Sequence, residues 1–272
     1  MTAADQRDDT VITSLTNPRV KALAAVRRRR SRDRSEVTVV EGREETLLAL
    51  ASGIAPRELW WCPDLGRDLG DDVRVRLVAA GTEIVRTSPA VFERIAYRES
   101  PDGWLAVVPA LETSLERVVL GADPLVVVCE AVEKPGNLGA ILRTADGAGV
   151  DAVLSADPRS DWGNPNVIRA SKGTVFSVQV AEAPTAQVLE WLRARGLAVV
   201  VATPDATELY TDVDLRGPVA VVVGTENEGV STAWLAAADR RVRIPMRGRA
   251  DSLNVATSAA LVVYEAVRQR GG

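Results

Sequence analysis

The chain has 272 residues, of which 46% are hydrophobic, with a formal net charge of −4, two cysteines and no histidine. The length allows one large domain or two ordinary ones, and the apolar content is that of a globular protein with a buried core. The lack of histidine excludes His-based catalytic triads, His-ligated zinc and the commonest general base, and no metal site is predicted.

The composition also bears on where the protein works. No run of 18 apolar residues occurs, so a membrane span is not expected, and the start MTAADQRDDT lacks the basic and apolar pattern of a signal peptide. Cys62 and Cys129 lie far apart and are interpreted as buried free thiols. We therefore expect a cytoplasmic protein.

Basic side chains are concentrated in two patches. Positions 19–34 contain eight basic residues against Asp33, and positions 240–249 contain five arginines with no acidic residue between them. Local basic patches on an acidic chain are typical of a protein that contacts nucleic-acid phosphates at defined places, although a solvated helix face is the alternative interpretation. The candidate nucleic-acid contacts are Arg27, Arg28, Arg29, Arg30, Arg247 and Arg249.

The first part of the chain predicts a small α/β domain over residues 1–110. Asn17 and Pro18 mark the start of a helix that is expected to run through the arginines at 27–30. Later strands are expected at 37–42, 58–62, 83–86 and 104–108, with helices at 43–53, 72–80 and 88–97. Trp60 and Trp61 point to opposite faces of their strand, so one is expected in the core and the other is a candidate to stack on a base.

After an expected linker at 111–123, residues 124–272 alternate strands with helices. Strands are expected at 124–132, 151–156, 175–181, 197–203, 218–223 and 240–246, and helices at 137–149, 164–173, 185–196 and 252–270. This alternation predicts an α/β fold with a mostly parallel, doubly wound sheet. Ligands bind at the carboxyl ends of the strands in such sheets, where three loops are expected, at 133–139, 224–229 and 244–254.

The first and third loops carry polar side chains at helix starts. Asn137 is predicted to cap the helix that follows the first loop, and Arg143 lies six residues further along it; a cap with a surface ion pair is the alternative. Ser252 is predicted as the N-cap of the last helix, whose exposed N–H groups would bind a polar or anionic ligand.

The second loop, GTENEG, follows an apolar strand. Gly224 lets the chain leave the sheet tightly, and Glu226 and Glu228 are candidates to orient a partner or accept a proton. The loop contains neither GxGxxG nor Gly-Lys-Ser/Thr, and its two acids would repel phosphate. An ATPase or an NAD-dependent enzyme is therefore disfavoured.

Together the three segments resemble the SpoU/TrmH family of RNA ribose 2′-O-methyltransferases, which belongs to the SPOUT class. The family's Asn-x-Gly-x-x-x-Arg motif corresponds to residues 137–143, and its Gly-x-Glu-x-x-Gly motif to residues 224–229. Its Ile-Pro-Met and Ser-Leu-Asn-Val motif corresponds to residues 244–246 and 252–255. The motifs occur in family order over about residues 122–270, and the first half resembles, more weakly, the family's substrate-binding domain through NPRVK and VVEG.

The resemblance implies a fold and a cofactor. Residues 124–272 would form a parallel-sheet SPOUT domain with a trefoil knot, and residues 1–110 a small N-terminal α/β ribosomal-protein-like RNA substrate-binding domain. The protein would be a homodimer through its C-terminal domain. The cofactor would be S-adenosyl-L-methionine, held largely by backbone groups at Gly224, Ile244 and Leu253.

The resemblance also implies methyl transfer to a ribose 2′-hydroxyl of RNA, with Arg143 in the central role. Because a guanidinium stays protonated in proteins, we expect Arg143 to stabilise the developing alkoxide, while Glu226 or a substrate phosphate accepts the proton. Asn137, Ser252 and Asn254 would position Arg143, the ribose and the loop.

The N-terminal domain favours ribosomal RNA as the target, and three alternatives remain open. Transfer RNA is the alternative target. Methylation of a base nitrogen is the alternative chemistry, which the Ser-Leu-Asn motif and the position of Arg143 disfavour. A non-catalytic RNA-binding or ribosome-assembly protein on the same fold is the alternative class, and the intact site residues Asn137, Arg143, Glu226 and Asn254 argue against it.

Overall fold

The computed structural model describes residues 11–66, 68–225 and 228–271. The chain divides into two compact units, one made of Met1–Leu111 with Gly163–Ser177 and the other of Glu112–Trp162 with Val178–Gly272. Residues 163–177 thus belong to the first unit, although in sequence they lie between two strands of the second unit. The sequence predicts a single division at residues 111–123 and does not predict this second segment of the first unit. None of the described helices is long and apolar enough to cross a membrane.

The first unit contains a four-stranded mixed sheet. Its strands are β1 (Val37–Glu41), β2 (Glu58–Trp61), β3 (Glu83–Arg86) and β4 (Trp104–Pro109). In the order β1-β4-β2-β3, β4 is antiparallel to both β1 and β2, and β2 is parallel to β3. The helices of this unit are α1 (Pro18–Ala25), α2 (Arg29–Ser35), α3 (Arg43–Ala51), α4 (Asp71–Ala79), α5 (Pro89–Ile95) and α7 (Pro165–Ala170).

The first arginine patch does not lie on one continuous helix, so that expectation is wrong. The Asn17 cap is confirmed, since its side chain accepts a hydrogen bond from the Arg19 backbone N–H at 2.9 Å. The helix nevertheless ends at Ala25. The buried guanidinium of Arg32 donates to the carbonyls of Val26 and Arg27, at 3.3 and 3.1 Å, and so stabilises the turn between α1 and α2.

Both tryptophans of β2 are buried, so the expectation that one of them stacks on a base is wrong for this structure. Trp60 is 1% exposed and belongs to the apolar core of the first unit. Trp61 is 6% exposed, and the guanidinium groups of Arg74 and Arg86 lie 5.9 and 5.7 Å from its ring centre. Burial and these cation–π contacts give the rings a packing role.

The second unit contains a seven-stranded parallel sheet, as the alternating pattern predicts. Its strands are β5 (Leu125–Glu130), β6 (Ala152–Ala156), β7 (Gln179–Ala183), β8 (Ala198–Ala202), β9 (Glu208–Leu209), β10 (Val219–Val223) and β11 (Arg240–Arg243). They are ordered β7-β6-β5-β10-β8-β11-β9, and every neighbouring pair is parallel. The helices are α6 (Pro135–Ala148), α8 (Thr185–Ala194), α9 (Thr232–Ala237) and α10 (Val255–Gln269).

Some local expectations for the second unit are wrong. The strand expected at 175–181 begins only at Gln179, after a short 3-10 turn at Thr174–Phe176, and neither β9 nor α9 is predicted. These elements are two to six residues long, too short for a periodic pattern to reveal.

The centre of the parallel sheet is buried on both faces. Every residue of β5 and β10 is buried, which explains their nearly continuous runs of valine. The last helix, α10, packs on α6 and on β5, β8 and β10. Cys129 on β5 is a free, buried thiol whose pKa is raised to about 12 by burial, and Cys62 is also free and buried, which confirms the interpretation from the sequence.

Candidate functional site

The carboxyl ends of β5, β6 and β10 and the start of α10 surround one cavity. Its volume is about 340 Å³. Parallel strands bring their following loops to the same edge of the sheet, so segments more than 100 residues apart in sequence share this wall. The cavity is lined by Ala131, Val132, Glu133, Lys134, Asn137, Arg159, Thr225, Glu228 and Val255.

A hydrogen bond joins the first motif to the third at this cavity. The Asn254 side-chain amide Nδ2 donates to Asn137 Oδ1 at 3.1 Å. The Asn254 Oδ1 atom accepts from the backbone N–H of Ala256 at 3.0 Å, which makes Asn254 the N-cap of α10. The structure thus brings together two of the predicted site residues that are 117 positions apart.

The helix caps differ from the sequence predictions for Asn137 and Ser252. Helix α6 begins two residues before Asn137, with Pro135 at its first position and Lys134 as the N-cap. Proline suits this first position because the N–H that it lacks would have no partner within the helix. Ser252 is exposed two residues before the N-cap of α10, and its Oγ atom lies 3.5 Å from Asp251 Oδ1. Neither Asn137 nor Ser252 caps a helix.

The loop after β10 is a tight closed turn. Thr225 and Gly229 exchange backbone hydrogen bonds of 2.9 and 3.0 Å, and Gly229 has a φ of +67°. A Cβ atom on Gly224 would lie 2.0 Å from the Gly229 carbonyl oxygen, so only glycine permits this closure. The Glu228 backbone N–H donates to Thr225 Oγ1 at 3.0 Å. Glu226 lies outside the described residues.

A buried carboxylate anchors the chain that leaves this loop. Glu130, at the end of β5, is 6% exposed, and its Oε2 atom accepts a hydrogen bond from the Ser231 backbone N–H at 2.7 Å. The bond connects the end of one central strand to the residue that follows the turn at 224–229. This tie is absent from the motifs of the sequence analysis.

The loop from Ile244 to Asn254 combines apolar side chains with unused peptide groups. Ile244 and Leu253 are half-buried, whereas the apolar residues of the neighbouring strands are mostly buried. The backbone groups of residues 244–253 form no backbone hydrogen bond with any other residue that the structure describes. Apolar contacts beside available N–H and C=O groups are suited to a flat heteroaromatic ligand.

The arginines near the C-terminus are not equivalent. Arg247 and Arg249 are exposed in the loop before α10. In contrast, Arg240 forms an ion pair with Glu208 at 3.4 Å, and the Arg241 guanidinium donates to the Leu235 carbonyl at 2.6 and 3.1 Å. Two members of this cluster therefore have partners within the fold.

Arg143 is exposed on α6, six residues after Asn137. That spacing places its Cα about 9 Å further along the helix axis. Arg143 is not among the residues that line the cavity. The structure therefore does not join it directly to the pair formed by Asn137 and Asn254.

The first arginine patch lies in the first unit. Arg27, Arg28, Arg29 and Arg30 are all exposed at the turn before α2 and in its first residues. Arg27 also has a structural role, because its guanidinium donates to the Ala96 carbonyl and lies 5.0 Å from the Tyr97 ring centre.

Several residues that line the cavity are absent from the site residues predicted from the sequence. Thr225 and Val255 lie within the second and third motifs without a predicted role, whereas Arg159 lies outside the motifs and follows the carboxyl end of β6. Strand-end position in a parallel sheet is the signal that identifies Arg159, since β6 neighbours β5 in the sheet.

Comparisons with known proteins agree with this arrangement. The SpoU rRNA Methylase family matches residues 124–264, and the MRM3-like substrate binding domain matches residues 17–106. A 23S rRNA (uridine(2479)-2'-O)-methyltransferase from Streptomyces viridochromogenes is 33% identical over 89% of this chain and 86% of its own length. The 23S rRNA (guanosine(2553)-2'-O)-methyltransferase RlmP from Bacillus subtilis is 29% identical over 93% of this chain and 97% of its own length.

Solved structures are similar over nearly the whole chain. The crystal structure of an RNA 2'-O ribose methyltransferase is 42% identical, covers 96% of this chain and 99% of its own, and has a TM-score of 0.84. An AdoMet-bound rRNA methyltransferase from Sinorhizobium meliloti is 30% identical, covers 95% of this chain and 97% of its own, and has a TM-score of 0.87. With a family match over more than half of its length, this chain belongs to the SpoU rRNA methylase family.

Proposed function

We propose that this protein transfers a methyl group from S-adenosylmethionine to a ribose 2′-hydroxyl of ribosomal RNA. The observation that carries the proposal is the hydrogen bond from Asn254 to Asn137, which joins two family motifs at the wall of a cavity. The relatives named as 23S rRNA 2′-O-methyltransferases cover most of this chain and support the same chemistry.

The loops at Gly224 and at Ile244 to Leu253 fit S-adenosylmethionine. Half-buried Ile244 and Leu253 offer apolar surface for an adenine ring, and the peptide groups of residues 244–253 are available for its polar edge. The backbone bonds between Thr225 and Gly229 close the turn that follows Gly224 and hold Thr225 at the wall of the cavity. When bound, S-adenosylmethionine supplies the methyl group from its sulfonium.

The protein's own side chains would orient and activate the ribose. A 2′-hydroxyl is a weak nucleophile, so charge on its oxygen must be stabilised as the proton leaves. Arg143 supplies the stabilising positive charge, and Glu226 or a substrate phosphate receives the proton. Asn137, Ser252 and Asn254 position the loop and the ribose, because the hydrogen bond between the two asparagines couples the start of α10 to α6.

RNA would be held by basic residues outside the cavity as well. Arg247 and Arg249 are exposed in the loop before α10 and are suited to bind phosphates. Arg27, Arg28, Arg29 and Arg30 are exposed in the unit that contains the substrate-binding domain match. We assign ribosomal RNA as the target because of the relatives' substrates, and we place the enzyme in the cytoplasm with that RNA.

Two further features of the family complete the proposal. We propose a trefoil knot in the second unit on the ground of its match to the SpoU rRNA Methylase family over residues 124–264. The outer face of α10 carries half-buried Leu261 and the ring of Tyr264, which is 50% exposed. That apolar surface supports a homodimer through the second unit.

The activity is tested with tritiated S-adenosylmethionine and bacterial RNA, followed by size fractionation and alkaline hydrolysis. We expect label in large ribosomal RNA that is recovered as an alkali-resistant dinucleotide, because a methylated 2′-oxygen blocks cleavage. Label in small RNA would move the target to transfer RNA, and alkali-sensitive label would indicate a base. No label above that of Arg143→Ala would favour a binding protein.

A further inference from the structure

One arginine in the cavity has no role in the motifs or in the packing. Arg159 lies in the loop between β6 and α7, three residues after the strand ends, and it lines the same cavity as Asn137. The side chain is exposed. Within the described parts of the chain it has no hydrogen bond, ion pair or ring contact. Its charge is therefore available to a ligand.

The backbone on both sides of Arg159 is held in place. The Asp157 carboxylate accepts from the Thr185 backbone N–H at 3.2 Å and from Thr185 Oγ1 at 2.7 Å, and the Asp157 N–H donates to the Ala183 carbonyl at 3.0 Å. On the other side, Trp162 is fully buried, and its Nε1 atom donates to the Ala181 carbonyl at 3.0 Å. The loop thus presents Arg159 from two fixed points, which limits the entropy lost on binding.

Two other arginines of this unit have clear structural roles. The Arg270 guanidinium donates to the carbonyls of Asp123, Pro124, Leu215 and Gly217, and Arg268 pairs with the buried Glu265 at 2.7 Å. Arg159 forms no comparable bonds to the described residues. A structural explanation for its position is therefore lacking.

We propose that Arg159 binds the RNA phosphate next to the target ribose and so positions the 2′-hydroxyl at Asn137. A guanidinium binds two phosphate oxygens at once, which fixes orientation as well as position. The 2′-oxygen and the 3′-phosphate are attached to adjacent ribose carbons, so holding that phosphate restricts the ribose. This inference rests on the proposed function, and it makes Arg159 a substrate-positioning residue in addition to the family motifs.

The test compares Arg159→Ala and Arg159→Lys with the control Arg193→Ala, which removes an exposed arginine of α8 that does not line the cavity. The probe is a protein-free transcript of 23S ribosomal RNA, with binding measured by filter retention over a range of salt concentrations. For Arg159→Ala we expect affinity to fall about 10- to 100-fold, as for a lost hydrogen bond to a charged group. The slope of log affinity against log salt should decrease by about 0.7, the value for one single-stranded phosphate.

Turnover and cofactor binding complete the test. Arg159→Lys should keep the salt slope but recover only part of the kcat/KM, because lysine retains the charge and loses the two-point contact. Affinity for S-adenosylmethionine and the Tm should match the wild type. Unchanged RNA affinity and salt slope in Arg159→Ala would overturn the proposal, as would loss of cofactor binding together with a lower Tm. If the wild type binds the RNA and Arg159→Ala weakens that binding, but the wild type shows no methyl transfer, the result would contradict the proposed function and leave the RNA-binding role of Arg159 supported.

Discussion

Asn254 is joined to Asn137 by one end of its side-chain amide, while the other end caps α10. Its Oδ1 atom accepts from the Ala256 backbone N–H at 3.0 Å, and its Nδ2 atom donates to Asn137 Oδ1 at 3.1 Å. The first bond caps α10, and the second joins that helix start to α6. A single residue therefore combines a structural role with the alignment of two motifs.

These two roles can be separated by substitution. Asn254→Asp keeps an oxygen that caps α10 but replaces the amide donor with an acceptor, so we expect the free energy of unfolding to stay within about 0.5 kcal/mol of the wild type. The kcat should fall at least about fivefold, since about 1 kcal/mol or more of orientation is lost. Asn254→Ala should lose both the cap, worth about 1 kcal/mol, and the activity. Urea titration and methyl-transfer kinetics measure the two effects, and full activity in Asn254→Asp would contradict the assignment.

The turn after β10 depends on the absence of a side chain at Gly224. In Gly224→Ala the new Cβ atom would lie 2.0 Å from the Gly229 carbonyl oxygen, so the exchange of bonds between Thr225 and Gly229 cannot be kept. We expect affinity for S-adenosylmethionine to fall at least tenfold, measured by calorimetry. Gly217→Ala is the matched control, because a Cβ atom there meets nothing within 4 Å. Equal cofactor affinity in both variants would show that the turn does not hold the ligand.

The hydrogen bond from the Ser231 backbone N–H to Glu130 predicts that substitutions at its two ends change the stability by different amounts. Glu130→Ala leaves a backbone N–H without its buried partner, so we expect the free energy of unfolding to fall by about 1–3 kcal/mol and cofactor affinity to decrease. Ser231→Ala should change little, because the donor is the backbone and not the hydroxyl. Chemical denaturation and calorimetry distinguish the variants. A larger decrease in the free energy of unfolding for Ser231→Ala than for Glu130→Ala would contradict the stabilising role of this hydrogen bond.

The sequence predicts the parallel sheet well because its central strands are buried on both faces and appear as apolar runs, such as 125–130 and 219–223. It also predicts that the loops carrying Asn137 and Asn254 lie at the same edge of the sheet, since both follow strand ends, but it does not predict the hydrogen bond between the two side chains. It does not predict the helix start at Pro135 or the membership of residues 163–177 in the first unit. These features depend on competition between nearby caps and on contacts distant in sequence, which local patterns do not contain.

The buried carboxyl of Glu41 predicts a pH-dependent part of the stability. Burial is the main cause that raises the pKa of Glu41 above its ordinary value of 4.5, and hydrogen bonds from the N–H groups of Tyr97 and Arg98 oppose the shift. As the pH rises from about 4.5 through this raised pKa, the unfolded chain loses its proton first, so the folded state loses stability.

Glu41→Gln should remove this part of the pH dependence. We expect the unfolding free energy of the wild type, relative to the variant, to decrease as the pH rises from 4 to 7, as followed by urea titration at each pH. Glu112→Gln, at a side chain that is 71% exposed, is the control for loss of a surface carboxyl. A difference in unfolding free energy between the wild type and Glu41→Gln that does not change with pH would contradict the expectation.

The role of Arg143 is decided by the pH dependence of its lysine variant. If the guanidinium stabilises charge on the 2′-oxygen, Arg143→Lys should keep the shape of the wild-type profile of log kcat against pH while its rate falls by about 10²–10³, as for a lost oxyanion donor. A lysine that acts as base would instead add an ionisation near the pKa of its own amine, with the rate rising as that proton is lost. Arg193→Ala is the control, since it removes an exposed arginine of α8 that does not line the cavity. Because Arg143 is exposed on α6 and does not line the cavity, we expect its removal to leave affinity for S-adenosylmethionine unchanged and to lower kcat.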